Sequence, residues 1–563
     1  MYKRLFAPLI AALLIAAGPP AMAKLSYVPL AQIRAGQKAT GYTVVSGTRI
    51  RPFAVEILGV LQNQARDRSF ILVRVSGSLL RESKGIAAGM SGSPVYISGR
   101  LAGAVSYAFD RADPSYGLVT PIEDMLRLWE GEGAAEVALA PSRLLPAGAA
   151  RAVPVATPLL VSGRRAPPLL AEAAARAGMS LVAAGEAMGA HGGSTPPLRP
   201  GGAVAAVFAL GDYSAAAIGT VTWVDGGRFL AFGHPVANLG RVDYPATGAY
   251  IHAVVPSADL PFKIGSPLEP VGRFAQDRGA GAAGLAGERA ETVLVKASIE
   301  DAGTGRRRAY ETRVVREPAL LKAVAVAALL DACDQTFDRY TGGTAEVGLT
   351  LTADGLKEPL TRRNVYYDAK DVANAALAEV GEAVDLVLGN AFLDLRLRTI
   401  ELEVRMRPVT LLASIAGIRA DREQVKPGDE VKLDVSLRPF RAEPVTAAFT
   451  FTVPKTARPG KLVVTVRGGF VERREENGKE LGLGQISLPG DEPGSLAEAL
   501  TRFTNRPRNN DLLLEFLALP AERGNGDEAG AETIKLVKSC DYVVKGQSQL
   551  ILTIQPTNGS GAG

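Results

Sequence analysis

The 563-residue sequence has two cysteines, three histidines and two tryptophans. So few cysteines exclude a disulfide-stapled scaffold. His191, His234 and His252 form no helical ligand spacing with one another or with Cys333 and Cys540, so no metal site is expected. Nor is there a basic block. Lys and Arg number 63 against 58 Asp and Glu, a formal net charge of +5 spread along the chain, which leaves no footprint for nucleic acid. Beyond the N-terminus no apolar run is both long and uncharged; Ala319–Leu330 carries Lys322. Glycine (61) and proline (36) are plentiful, yet hydrophobic residues make up 47%, a globular balance and not a disordered or collagenous one. Cys333 and Cys540 are the one available disulfide pair, and spacing alone does not decide whether they meet.

What is present begins with an export signal. Lys3 and Arg4 precede the apolar stretch Leu5–Ala17, and Ala21-Met22-Ala23 is a small-residue cleavage site. Residues 1–23 read as a signal peptide, so the mature chain is expected to start at Lys24 and work in the periplasm or cell envelope, with no membrane span left. Residues 24–130 are strand-rich, with a hairpin expected around Ser98-Gly99-Arg100 and a short helix over Pro121–Trp129. Residues 131–200, rich in Ala, Pro and Gly, read as a connector with a short helix at Ala171–Ala177. Strands return over 201–300, including a hairpin at Asp225-Gly226-Gly227. Residues 301–410 mix strands with two helices, Pro318–Arg339 and a second one capped by Asp368. In 411–475 apolar and polar residues alternate strictly, as in Val431–Arg438, which predicts a β-sandwich-like domain. The tail, 476–563, carries a capping box at Ser495-x-x-Glu498 and a last strand over Tyr542–Ile554.

The sharpest motif is Gly89-Met90-Ser91-Gly92-Ser93-Pro94. A nucleophilic serine needs a tight turn and small neighbours, so that a carbonyl and backbone N–H groups approach closely. The N–H groups of Gly89 and Ser91 are the candidate oxyanion hole. A base is also needed. His234, in Leu230-Ala231-Phe232-Gly233-His234-Pro235, follows an apolar strand at a turn, where an imidazole reaches a cleft edge. His191 falls in the connector, and His252 reads as a packed core residue.

With Leu101–Val105, Tyr116-Gly117 and Ile122–Leu126, the serine motif resembles the serine-bearing segment of the SpoIVB peptidases, serine peptidases of the chymotrypsin-like clan. Ala231–Pro235 resembles their histidine segment. Gly265–Gly284, with Gly272-Arg273-Phe274 and Asp277-Arg278-x-x-Gly281, is similar to the stretch on the C-terminal side of that histidine in the family. The resemblance covers about residues 40–130 and 200–290. It implies a double β-barrel peptidase core; with the mixed region and the sandwich read above, the fold is expected to be mainly β with additional α/β. It also implies a cofactor-free peptidase acting on a protein substrate.

Two departures stand out. Ser91 precedes His234, the reverse of the family order, and a permuted core keeps its cleft if the connector spans it. Where the family has an aspartate fifteen residues before the serine, this chain has Ser76. Ser76 itself and Asp243 are the candidates for orienting the imidazole. The reading is an exported serine endopeptidase of the SpoIVB type, with the C-terminal domains available to a protein partner. The alternative is a degenerate peptidase fold that works as an envelope scaffold. The run Gly279–Gly284 fits G-x-G-x-x-G but comes after charged residues, so a loop near the cleft is expected there and not a dinucleotide site. An α/β-hydrolase is disfavoured, because Ser93 stands where its motif needs glycine.

Overall fold

The computed structural model describes residues 26–63, 68–109, 112–130, 152–155, 158–184, 195–257, 261–470, 474–476, 479–481, 493–518 and 532–556. The leader and His191 lie outside them. No helix among the described residues is long and apolar enough to cross a membrane.

Short alternating runs between glycine turns build the first barrel. Its strands are β1 (Lys38–Val44), β2 (Ile50–Asn63), β3 (Arg68–Ser76), β4 (Pro94–Ile97), β5 (Arg100–Phe109) and β6 (Tyr116–Pro121). Neighbours run β4-β1-β2-β3-β6-β5, and pairing of β4 with β5 closes six strands into a barrel. On β3 the side chains of Ile71, Val73 and Val75 turn into the core while Arg74 and Ser76 face out, the period of two expected of a half-buried strand. The β4–β5 hairpin turns on Ser98 and Gly99, both left-handed (φ +49° and +78°), the two-residue geometry that matches strand twist. Helix α1 (Ser78–Glu82) precedes the serine motif, and α2 (Ile122–Leu126) comes after β6.

The connector takes part in both halves. Strand β7 (Ala152–Pro154) pairs with β5; β8 (Leu159–Val161) pairs with a second-barrel strand and with β9 (Leu181–Ala183); α3 (Pro168–Arg176) is the expected short helix.

The second barrel comprises β10 (Ala203–Gly211), β11 (Ala215–Asp225), β12 (Arg228–Ala231), β13 (Gly240–Val255), β14 (Phe262–Arg278) and β15 (Gly281–Ala286). They run β10-β13-β14-β15-β12-β11, and β10–β11 pairing closes this ring too. The G-x-G-x-x-G run is no flexible loop: Gly279 and Ala280 make the tight β14–β15 turn and Gly281–Gly284 is ladder.

From β10 the sheet continues outward through β17 (Arg306–Val315) and β16 (Thr292–Asp301), then β20 (Arg396–Arg407), β18 (Gly343–Asp354) and β19 (Leu360–Asp368). The expected boundary at residue 300 therefore falls inside a strand, and one core runs through both regions. Helix α4 (Pro318–Phe337) covers this extension with Leu321, Val324 and Leu329. The second helix is two pieces, α5 (Val372–Ala375) and α6 (Val380–Leu388). Its cap is Asp371, whose side chain accepts from Asn374 N; Asp368 instead accepts from Lys370 N and Asp371 N.

The C-terminal sandwich packs a four-strand sheet on a five-strand sheet, with Val431, Leu433 and Val435 meeting Leu462, Val464 and Leu514. Its strands come from 412–468 and also from 511–554, so the tail completes the sandwich. The capping box forms, with Ser495 Oγ accepting from Glu498 N and Glu498 accepting from Gly494 N. Buried Arg362 on β19 joins the two parts: it pairs with Glu379 and donates to the carbonyls of Thr504, Arg506 and Pro507. Cys333, buried in α4, and Cys540, in the sandwich, are free thiols.

Candidate active site

The serine motif is the link from α1 to β4, and its backbone is pinned from both barrels. Within it, Met90 N donates to Ala87 O and Ser93 N to Met90 O. Toward β5, Gly92 N donates to Val105 O (2.8 Å) and Val105 N to Ser93 O (3.0 Å). From β11, Thr220 N donates to Ser91 O (2.8 Å), Thr220 Oγ1 to Gly89 O (3.0 Å) and Thr222 Oγ1 to Gly92 O (2.8 Å). The N–H groups of Gly89 and Ser91 make no hydrogen bond among the described residues.

The two flanking glycines are required by geometry. Both are left-handed, at φ +93° for Gly89 and +87° for Gly92. A Cβ on Gly92 would stand 1.9 Å from Thr220 O and 2.5 Å from Phe232 N. Sequence reasoning assigned these glycines to substrate approach; at Gly92 the approach is that of the second barrel.

His234 leaves the end of β12 through a strained turn. Phe232, fully buried, and Gly233 both have φ +69°, and left-handed bulky residues persist only where packing holds them. Gly233 lies against Ala104, Val105 and Ser106 of β5, and Thr120 Oγ1 on β6 donates to Gly233 O (2.6 Å). The imidazole sits edge-on to the rings of Tyr107 and Phe232. Its Nδ1 lies 2.7 Å from Pro235 O, so Nδ1 carries the proton and Nε2 holds the free lone pair. Burial pushes the imidazole down to about 4, opposed by the carbonyls of Pro235 and Val155.

The structure thus brings Ser91 and His234 to one seam between the barrels. No hydrogen bond joins them: Ser91 Oγ, Ser93 Oγ and His234 Nε2 are all buried without a partner. Neither candidate orienting residue is among the groups that meet the imidazole. Ser76 is exposed on β3 opposite Ala54. Asp243 accepts from Glu291 N (2.7 Å) and faces Arg273 (3.4 Å). His252 bonds Ser266 Oγ through Nε2 (2.8 Å) and is half-buried on β13, away from the full burial expected of it.

The roles of two residues at the seam were not legible in the sequence. Asp277, fully buried, accepts from Val236 N (2.7 Å) and Ala237 N (2.8 Å), and also from Asn238 and Leu239, so it ties down the loop that carries His234. Burial pushes its carboxyl up to about 6 against those four donors. Its signal was its place in the stretch that resembles the family. Lys263, also fully buried, lies with its stem against Gly89, where a Cβ would come within 2.9 Å of its Cδ. Its Nζ donates to Thr43 Oγ1 at 3.0 Å. No group of three or more metal-binding side chains occurs among the described residues.

A double barrel with a glycine-flanked serine at the seam is consistent with the β-rich, chymotrypsin-like fold class. Within that class, residues 20–126 match the family model of SpoIVB peptidase S55. The match covers under a fifth of the chain, takes in the first barrel and the serine motif, and stops before His234. No curated protein and no solved structure matches the chain.

Proposed function

We propose that this protein is an exported serine endopeptidase that cleaves a protein substrate in the cell envelope with Ser91 as nucleophile. The observation that carries the reading is the Gly89–Pro94 loop inside the segment matched to SpoIVB peptidase S55, with Ser91 Oγ unpartnered and two free N–H groups beside it. Ser91 Oγ attacks the scissile carbonyl carbon, and the oxyanion forms against the N–H groups of Gly89 and Ser91. A neutral nitrogen of the second barrel accepts the serine proton and returns it to the leaving amine. The resemblance puts His234 in that role, and Pro235 O then does the tautomer-fixing usually given to a carboxylate. Ser91 is fully buried, so substrate reaches it only after residues over the seam move apart.

The second reading, a scaffold that keeps a peptidase fold, is favoured by one observation: the imidazole near 4 is a weak base and makes no bond to Ser91. The test is a fluorophosphonate probe on the mature chain, with the adduct located by mass spectrometry. Labelling at Ser91, absent from Ser91→Ala, supports the peptidase. An unlabelled native protein supports the scaffold.

A further inference from the structure

The second barrel also places a buried amine against the nucleophile loop. The loop residues Ala88 and Gly89 rest on the start of β14, and Gly92 rests on β11 and Phe232. On the β14 side, Ala88 N donates to Pro261 O (2.7 Å) and Lys263 N to Ala88 O (2.9 Å). This double clamp fixes Lys263 relative to the motif as tightly as a strand pair does. The Lys263 stem then runs along Gly89, and the lack of a side chain there leaves it room. Its Nζ ends at Thr43 on β1. The β1–β4 register sets Thr40 against Tyr96 and Gly41 against Val95; extended two residues, it sets Thr43 against Ser93. Thus the amine lies beneath the loop that carries Ser91 and Ser93, whose hydroxyls are buried without partners; it bonds Thr43 and neither serine, so proton transfer needs a short approach of Nζ to Ser91 Oγ.

A fully buried lysine is rare, because the charged form loses its hydration, and one with a single hydroxyl partner is not there as a salt bridge. We propose that Lys263 is the general base of Ser91, with Thr43 as the residue that positions its amine. This rests on the reading of Ser91 as nucleophile and narrows it by moving proton transfer from the imidazole to the amine. In the step, the Oγ–C bond forms as the carbonyl π pair moves to oxygen. The Oγ proton passes to neutral Nζ. The resulting ammonium then protonates the leaving nitrogen as the C–N bond breaks, and Nζ is neutral again. Serine–lysine pairs of this kind need no orienting carboxylate, which fits a chain with Ser76 at the family's aspartate position.

Charge state is consistent with the role. Burial alone pushes the amine down to about 7. Thr43, Ala88, Gly89 and the cross-strand Val254 surround it, and no charged side chain adds to or offsets the shift. A base near 7 is half free at neutral pH and far stronger than an imidazole near 4.

The test compares fluorophosphonate labelling of Ser91 in the native mature chain, Lys263→Met and His234→Gln, with thermal midpoints for each. Met keeps the stem and lacks the charge, so Lys263→Met is expected to fold with an unchanged or higher midpoint and to label about a hundredfold more slowly or not at all. In the native chain the labelling rate is expected to rise with pH through one ionisation near 7 and then level off. Labelling of Lys263→Met at the native rate overturns the proposal, and so does a native rate that is flat from pH 5.5 to 9. The native profile keeps the question decidable if Lys263→Met does not fold. Absence of any label on native Ser91 instead overturns the nucleophile reading, before the base is at issue.

Discussion

The two barrels differ in what they bury. In the first, every fully buried polar side chain among the described residues carries a hydroxyl: Thr43, Ser83, Ser91, Ser93, Ser106, Thr120, and the phenol of Tyr107. Among the described residues the second buries His234, Lys263 and Asp277 beside its hydroxyls and the phenols of Tyr213 and Tyr244. Burial pulls the two bases down and the acid up, the direction that disfavours charge in each case. On the proposed reading, nucleophile and proton chemistry are divided between two bodies, and neither barrel alone holds a complete site. Docking of the barrels would then be a condition of that activity, and the seam is the place where mutation tells most.

The largest effect is expected from Gly92→Ala. The new methyl overlaps Thr220 O, and the residue is held at φ +87°. Backbone on both sides prevents easy relief, so a loss on the order of 4 kcal/mol or more is expected, read as a lower denaturant midpoint together with loss of Ser91 labelling. Gly99→Ala is the control. That glycine is also left-handed but has nothing near its missing Cβ, so about 1 kcal/mol is expected and labelling should persist.

Next in size is Asp277→Ala. It orphans the donors of Val236 and Ala237 in a dry interior and frees the loop beyond His234. A cost of about 3 kcal/mol is expected in chemical denaturation. Labelling that depends on Lys263 should survive better than labelling that depends on His234, so this variant also sharpens the contrast between the two bases.

Acid titration probes the same division. The folded imidazole value, about 4, lies below the ordinary 6.5, so the unfolded chain binds more protons between those limits. His234's contribution is complete above pH 6.5 and is lost as pH falls through 4, by roughly 3 kcal/mol. Asp277 has the opposite sign. Its folded value, about 6, exceeds 3.8, so its contribution is complete below 3.8 and is lost as pH rises through 6. In His234→Gln the decline of stability between pH 6.5 and 4 should be shallower than in the native chain, as measured by urea unfolding at stepped pH.

Local signals in the sequence carried far where the chain is its own neighbour. The Ser98-Gly99 and Gly226-Gly227 turns, the alternation along Val431–Arg438 and the Ser495 capping box all form as read, because turn chemistry and period act within a few residues. What was not legible depends on partners distant in sequence. The boundary at residue 300 fails because β10 pairs with β17 and β16 with β20. Asp277 stood in the family-like stretch, but its role was not legible, since its four donors lie about forty residues upstream. Lys263 had a fainter sign, a lone cation in Pro261-Phe262-Lys263-Ile264, and only the closure of β14 onto the serine loop shows that it points inward.

The smallest effect concerns the missing carboxylate. Asp243 was a candidate for the aspartate's work, yet it is occupied by Glu291 N and Arg273 on the outer side of β13, and the Nδ1 it would orient already meets Pro235 O. Asp243→Ala and Ser76→Ala should therefore change the Ser91 labelling rate less than about twofold, far from the ~10⁴ that loss of a true triad carboxylate causes. A hundredfold fall in Asp243→Ala would show that the seam rearranges before catalysis. It would return the proton to His234 and place the acid–base chemistry of the second barrel at the other end of its β13–β14 hairpin.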